Sequence, residues 1–293
     1  MPETLVMKGG HGLPYSKGLM TQSLSASGLA PERAYELARV IERRLADSGV
    51  AQIDVDRLED TAADVLAEQV GEDAVRRFRD WRRLDRLDKP LILLIAGAPG
   101  VGKSTLSSML ASRLGITRVI ATDAIRHVIR AFFSQRFMPV VHYSSFEAAL
   151  ALAAGQAGGG DPDIAGFLWQ ASNVRTGVTA IIERACEEGT PMVLEGVHLV
   201  PGLVGGDGND RAVVVQAVLT VEDEELHRGH FTLRGGDRPA QRYLDRFDKI
   251  RKLQAHLVER AEEHGVPVID NRNIDAALAR MMELVLDAVA ERG

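Results

Sequence analysis

The chain of 293 residues has one cysteine, no excess of basic residues and no long apolar run. Each absence removes a class of protein. A single cysteine cannot build a disulfide framework or a cysteine-ligated zinc site, and it fits a reducing compartment. That residue, Cys186, lies in the helix-like stretch TAIIERACEEG and reads as an inert helix position. A net charge of −6 argues against a general nucleic-acid binder, which needs a basic surface to neutralise phosphates, so phosphate chemistry here must be local. No apolar stretch approaches the roughly 20 residues needed to cross a bilayer, and the opening MPETLVMKGG carries no secretory pattern. These readings predict a cytoplasmic protein with no membrane or nucleic-acid partner. The length suits one domain of about 200 residues plus a smaller one.

What is present centres on LILLIAGAPGVGKSTLSSMLASRL, Leu91 to Leu114. The apolar run Leu91 to Ala96 suits a buried parallel strand, and the leucines and alanines after Thr105 recur at helical spacing. Between them stands GxxxxGK[ST], made by Gly97, Ala98, Pro99, Gly100, Val101, Gly102, Lys103 and Ser104, with Thr105 next. Glycines let backbone N–H groups turn toward a phosphate, and the helix N-terminus adds its positive dipole end. Lys103 reaches the outer phosphates and the Ser104 hydroxyl can hold Mg²⁺. A chance match in a glycine-rich turn is the competing explanation, but the complete motif in its strand-to-helix setting points to a nucleoside triphosphate. ATP and GTP are not distinguished by it.

From Leu91 onward strands alternate with helices: Arg118–Asp123, Pro191–Val197, Arg211–Thr220 and Val266–Asp270 follow the first strand. This predicts an α/β fold over 89–293, a P-loop NTPase kinase-type parallel sheet flanked by helices, with ligands at the carboxyl ends of the strands. Residues 1–88 read as a small, mostly helical unit. A strand at Thr4–Met7 leads through the turn KGGHG into a helix carrying Leu19, Met20 and Leu24, which Gly28 stops. Two further helices put Leu37, Ile41 and Leu45, then Leu58, Val65 and Leu66, on single faces. The charged helix EDAVRRFRDWRRLDRLDKP then connects the two domains. Its arginines, Arg76 to Arg86, can bind phosphate or RNA, but the interleaved Asp80, Asp85 and Asp88 favour a solvated, salt-bridged face.

Several residues at predicted strand ends carry chemistry. Asp123 closes the second strand, where small-molecule P-loop kinases commonly hold an acid facing the acceptor hydroxyl or a magnesium water; capping of the next helix is the alternative. Arg126 and Arg130 share a helix face and suit a clamp for an anionic substrate, or else are exposed helix arginines. Glu195 closes the third strand and reads as the second acidic element for Mg²⁺, alongside Ser104 and Asp123. His198 either donates to substrate phosphate or packs at the strand mouth. The segment RGHFTLRGGDRPAQRY offers Arg228, His230, Arg234, Arg238 and Arg242, of which one or two suit a lid covering the transferring phosphoryl group; Arg234 and Arg238 are assigned that role.

The blocks GAPGVGKSTLSSMLASRLGITRVIATDAIRHVIR, HYSSFEA, EGVHLVPGL, LTVEDEELHRGHF and RPAQRYLDRFDKIRKLQAHLVERAEEHGVPVI resemble the 2-phosphoglycerate kinases over nearly the whole chain. The front end, through PYSKGLMTQSL and IDVDRL, resembles the ATP-cone, a small regulatory nucleotide-binding module. The resemblance implies phosphoryl transfer from a nucleoside triphosphate to a phosphorylated glyceric acid with Mg²⁺, with substrate held by His142, Tyr143, Ser144, Arg126, Arg130, Glu195, His198 and Arg242 as well as Asp123. It departs at ALAAGQAGGGDPDIAGF, Ala151 to Phe167, which is glycine-rich and shortened beside the substrate block. A kinase of another small hydroxy acid, such as 3-phosphoglycerate or glycerate, is therefore a rival reading. A non-catalytic nucleotide sensor is a second, opposed by the paired acids and lid arginines. The cone-like domain also leaves a homodimer open.

Overall fold

Two β-sheets, each with its own helices, organise the chain in the computed structural model, which describes residues 4–8, 10–84, 87–152, 160–204, 211–232 and 240–291. They belong to two compact units that meet in sequence at residues 87 and 88, apart from short segments beginning at Arg113 and Val289 that group with the first unit.

In the first unit β1 (Leu5–Lys8) pairs antiparallel with β2 (His11–Pro14) and parallel with β3 (Gln52–Asp54). The strand β2 corrects the expected passage from turn to helix. Helix α1 (Lys17–Ala26) starts only after Ser16, whose hydroxyl accepts the Leu19 N–H and so caps it. With α2 (Pro31–Asp47), α3 (Val55–Gln69) and α4 (Glu72–Leu84), the apolar faces meet in one core around Leu37, Ile41, Leu66 and Phe78. Burial of each such side chain contributes roughly 1.5–3 kcal/mol. In α4, Arg76 pairs with Asp73 and Arg82 with Glu59, so these arginines are spent on carboxylates. Asp85 and Arg86 lie outside the described residues.

The second unit holds a five-stranded parallel sheet. Its strands are β4 (Leu91–Ala96), β5 (Arg118–Ala121), β6 (Met192–Gly196), β7 (Val213–Thr220) and β8 (Val268–Asp270), in the spatial order β5-β6-β4-β7-β8. All of β4 is buried at the centre, as its unbroken apolar run requires. Around the sheet lie α5 (Lys103–Leu114), α6 (Thr122–Phe132), α7 (Pro162–Glu188), α8 (Glu224–Thr232), α9 (Ala240–Leu244), α10 (Phe247–Glu263) and α11 (Ile274–Ala290). Between α6 and α7 come two 3₁₀ turns, Pro139–His142 and Ser145–Ala151. The chain leaves β4 toward β5 and later returns across it to β7, so a crevice opens at the carboxyl end of β4, where the strand order reverses.

One boundary changes the reading of a site residue. The strand β5 ends at Ala121, so Asp123 sits in the first turn of α6 rather than at a strand end, and the N-cap is Ala121. A carboxylate in a first turn still gains from the helix dipole without being the cap.

Candidate active site

The turn after β4 is packed so closely that glycine is required. Gly100 and Gly102 have φ of 88° and 89°, and a Cβ would stand 2.4 Å from the Phe231 ring and 2.4 Å from Asn271 Nδ2, respectively. Lys103, at the start of α5, is buried and its Nζ donates to the Ala98 carbonyl at 2.7 Å. The next residue, Ser104, donates from Oγ to Glu195 Oε1 at 2.8 Å. Strand register explains that meeting: Glu195 is opposite Ile95 in β4 and Ala121 in β5, one residue short of the P-loop. A hydroxyl and a buried carboxylate are hard oxygen donors, and their pairing beside a phosphate-binding turn fits a small divalent cation. No group of three or more His, Cys, Asp and Glu with metal-binding geometry occurs among the described residues. A cation here would thus complete its shell from phosphate and water.

These groups form one wall of a cavity of about 530 Å³. The remaining wall carries Asp123, Arg130, His142, Tyr143, Ser144 and Arg242. Asp123 is half exposed and accepts from Arg126 Nε at 2.9 Å. Partial burial works to raise its carboxyl, but the Arg126 hydrogen bond and charge outweigh this and hold it below the usual carboxylate range. Arg126 also lines the cavity, yet it is buried and its Nη1 donates to the carbonyls of Val141 (2.7 Å) and Tyr143 (3.1 Å). It ties the first 3₁₀ turn to Asp123. Arg130, one turn on, is exposed in the cavity wall. His142 Nε2 donates to the Phe133 carbonyl at 2.8 Å, which fixes the ring. Arg242, from α9, donates to Ser144 Oγ at 3.2 Å and pairs with Glu147.

His198 does not reach the cavity, which corrects its expected role as a substrate ligand. It is 1% exposed, with Nδ1 2.9 Å from Thr122 Oγ1 and Nε2 3.0 Å from Gln170 Oε1. The Gln170 amide nitrogen donates to the Val140 and Tyr143 carbonyls, so its oxygen must accept, which puts the proton on His198 Nε2 and leaves Nδ1 to accept from Thr122. Burial pushes this imidazole down to about 3, so it is neutral at pH 7. Gln170 and Thr122 were not legible as site-building residues, because a glutamine in a long helix and a threonine after a strand look like ordinary surface positions. Arg234 and Arg238 lie outside the described residues, as do residues 153–159 of the glycine-rich stretch.

No family model matches the chain. It is 40% identical to the 2-phosphoglycerate kinase of Methanopyrus kandleri over 277 residues, 93% of this chain and 84% of that one. The 2-phosphoglycerate kinase of Pyrococcus horikoshii is 35% identical over 279 residues, covering 95% of this chain and 92% of its own. The chain belongs to the 2-phosphoglycerate kinase family. As a member it is a phosphotransferase. That of Methanococcus maripaludis agrees, at 38% identity over 282 residues, 94% of this chain and 90% of the relative. Similar solved structures include a shikimate kinase from Acinetobacter baumannii (16% identical, TM-score 0.35, 70% of this chain and 95% of that one). A gluconokinase from Sinorhizobium meliloti is 17% identical with TM-score 0.37, over 69% of this chain and 93% of that one. The fold assignment rests on the sheet order and the P-loop instead.

Proposed function

We propose that the protein transfers the terminal phosphoryl group of a nucleoside triphosphate, ATP or GTP, to the free hydroxyl of 2-phosphoglycerate, giving 2,3-bisphosphoglycerate. One observation carries the reading: the P-loop with its Ser104–Glu195 pair lines the same cavity as Asp123, Arg126, Arg130 and Arg242. A volume of about 530 Å³ lies in the range of small-molecule sites.

Phosphoryl transfer through a loose transition state asks a protein for positioning and charge stabilisation rather than a covalent nucleophile. The backbone of Gly97 to Lys103 holds the nucleotide phosphates, and Lys103 exchanges the Ala98 carbonyl for an outer phosphate oxygen. Asp123, ionised at neutral pH, accepts the hydrogen bond of the acceptor hydroxyl and orients its oxygen. Arg130, His142 and Arg242, with Tyr143 and Ser144, face the acid's phosphate and carboxylate, for which guanidinium forks are suited. Arg126 keeps Asp123 and the 140–143 segment in register. Ser104 and Glu195, with Asp123 nearby, would hold Mg²⁺, which when bound supplies neutralisation of phosphate charge. Arg234 and Arg238, between α8 and α9 in sequence, are assigned to covering the transfer. The first unit is assigned an ATP-cone-like character on its PYSKGLMTQSL and IDVDRL blocks.

The test is nucleoside-diphosphate release with ATP and with GTP across 2-phosphoglycerate, 3-phosphoglycerate, glycerate and lactate, with products identified by phosphorus NMR. Release with 2-phosphoglycerate and a bisphosphoglycerate product is expected. Turnover of another acid alone would overturn the acceptor and leave the kinase.

A further inference from the structure

The P-loop is gripped from outside by side chains that the phosphoryl-transfer scheme does not use. His227 Nε2 lies 2.9 Å from the Pro99 carbonyl oxygen, His230 Nδ1 2.9 Å from that of Gly100, and Asn271 Nδ2 donates to that of Val101 at 2.9 Å. Three consecutive carbonyls are thus each taken by one side-chain N–H, because a carbonyl oxygen only accepts. The donors come from two places, one face of α8 and the residue that follows β8. Asn271 is itself anchored, its backbone N–H donating to the Thr220 carbonyl at 2.8 Å.

Peptide planarity converts this grip into a statement about the opposite face of the loop. No cis bond occurs among the described residues, and in a trans peptide the carbonyl of one residue and the N–H of the next point in opposite directions. Carbonyls of Pro99, Gly100 and Val101 pulled outward therefore turn the N–H groups of Gly100, Val101 and Gly102 the other way. We infer that His227, His230 and Asn271 are positioning residues that preset three backbone donors for the nucleotide's phosphates. The inference rests on the nucleotide reading of the P-loop given above.

The surroundings are built for permanence. His227 is fully buried, in ring contact with Phe231 (centroids 5.6 Å apart) and Phe247 (5.2 Å). With the proton on Nε2, its Nδ1 has no partner among the described residues, so a second proton would be buried unpaired. Burial pushes this ring down to about 4, in keeping with a donor that stays neutral. Gly100 and Gly102 allow the close approach, since a side chain at either would strike Phe231 or Asn271. A donor set held before ligand arrives avoids reorganisation when the phosphates bind.

His230 is the position to test, because it is only half buried. The amide nitrogen of asparagine matches the reach of imidazole Nδ1, so His230→Asn keeps the donor and His230→Leu removes it. Nucleotide binding is measured calorimetrically with ATP and ADP, the KM for 2-phosphoglycerate by steady state, and the melting temperature without ligand. His230→Leu is expected to weaken ATP and ADP about tenfold, leaving the acceptor KM and the ligand-free melting temperature near wild type, while His230→Asn recovers affinity to within about twofold. Unchanged nucleotide affinity in His230→Leu, or no recovery in His230→Asn, overturns the inference. Should His230→Leu fail to fold, Asn271→Ser, which shortens the donor out of reach, is read in the same way. Absence of nucleotide binding by the wild-type chain overturns the nucleotide reading and the inference with it.

Discussion

The P-loop wall of the cavity comes from one stretch of sequence, with Pro99, Gly100, Lys103 and Ser104 in the lining, and the loop is held through its carbonyls by Lys103, His227, His230 and Asn271. The remaining wall draws Asp123 and Arg130 from α6, His142 to Ser144 from a 3₁₀ turn and its exit, and Arg242 from α9, with several of these side chains half exposed and tied by ionic contacts. On the proposed reading, phosphates are the same in every nucleotide, so the wall assigned to them can be rigid. An acceptor acid must be distinguished from its relatives, and separately carried side chains allow that to be tuned without disturbing the sheet.

The sharpest way to break the comparison is on the rigid side. Lys103→Ala removes the cation that the loop presents to phosphate, and a fall in kcat of about 10³-fold or more is expected, with the fold retained by circular dichroism. Retention of a sizeable fraction of kcat would contradict the assignment. On the remaining wall, Asp123→Asn keeps shape but loses charge, and should lower kcat about 10²-fold while nucleotide affinity stays the same. Equal loss of both would make Asp123 a structural residue. Smaller again is Arg130→Ala, expected to raise the KM for the acid about tenfold and leave the nucleotide KM alone. If both KM values rise together, the two walls are not separable.

The least effect at neutral pH concerns the buried imidazoles behind each wall. His198 and His227 are pushed from 6.5 to about 3 and about 4, respectively, so the unfolded chain binds protons that the folded chain refuses. Stability is therefore full above about pH 6.5 and declines as pH falls from there toward 4. Urea midpoints taken from pH 7.5 to 4.5 should drop steadily, and a flat profile would show that neither ring is held neutral.

Legibility followed the same division. The residues Leu91 to Thr105 announced strand, turn and helix because local spacing alone distinguishes them, and the family blocks brought the residues proposed for the acceptor by resemblance. Asp123 was misplaced by one element, since the apolar run of β5 gives no mark of where Ala121 hands over to α6. His198 was misread because a histidine after a strand looks the same whether it faces a cavity or, as here, meets Gln170 from a helix 28 residues earlier in sequence. Strand β2 escaped because HGLP has no alternation to set it apart from a turn.

By itself the sequence determined the class of the protein: a P-loop phosphotransferase core, and a smaller unit in front. Those features depend on short-range patterns, namely glycines beside a lysine and serine, and the period of apolar residues. Tertiary structure alone decided which carboxylate meets Ser104, which cavity-lining arginine is tied to the carbonyls of Val141 and Tyr143, and which side chains grip the P-loop from behind. These are contacts between residues tens to more than a hundred positions apart, as with His230 and Gly100. Only the packing of helices against the sheet brings such groups within hydrogen-bond reach, and no local pattern in the chain encodes that distance.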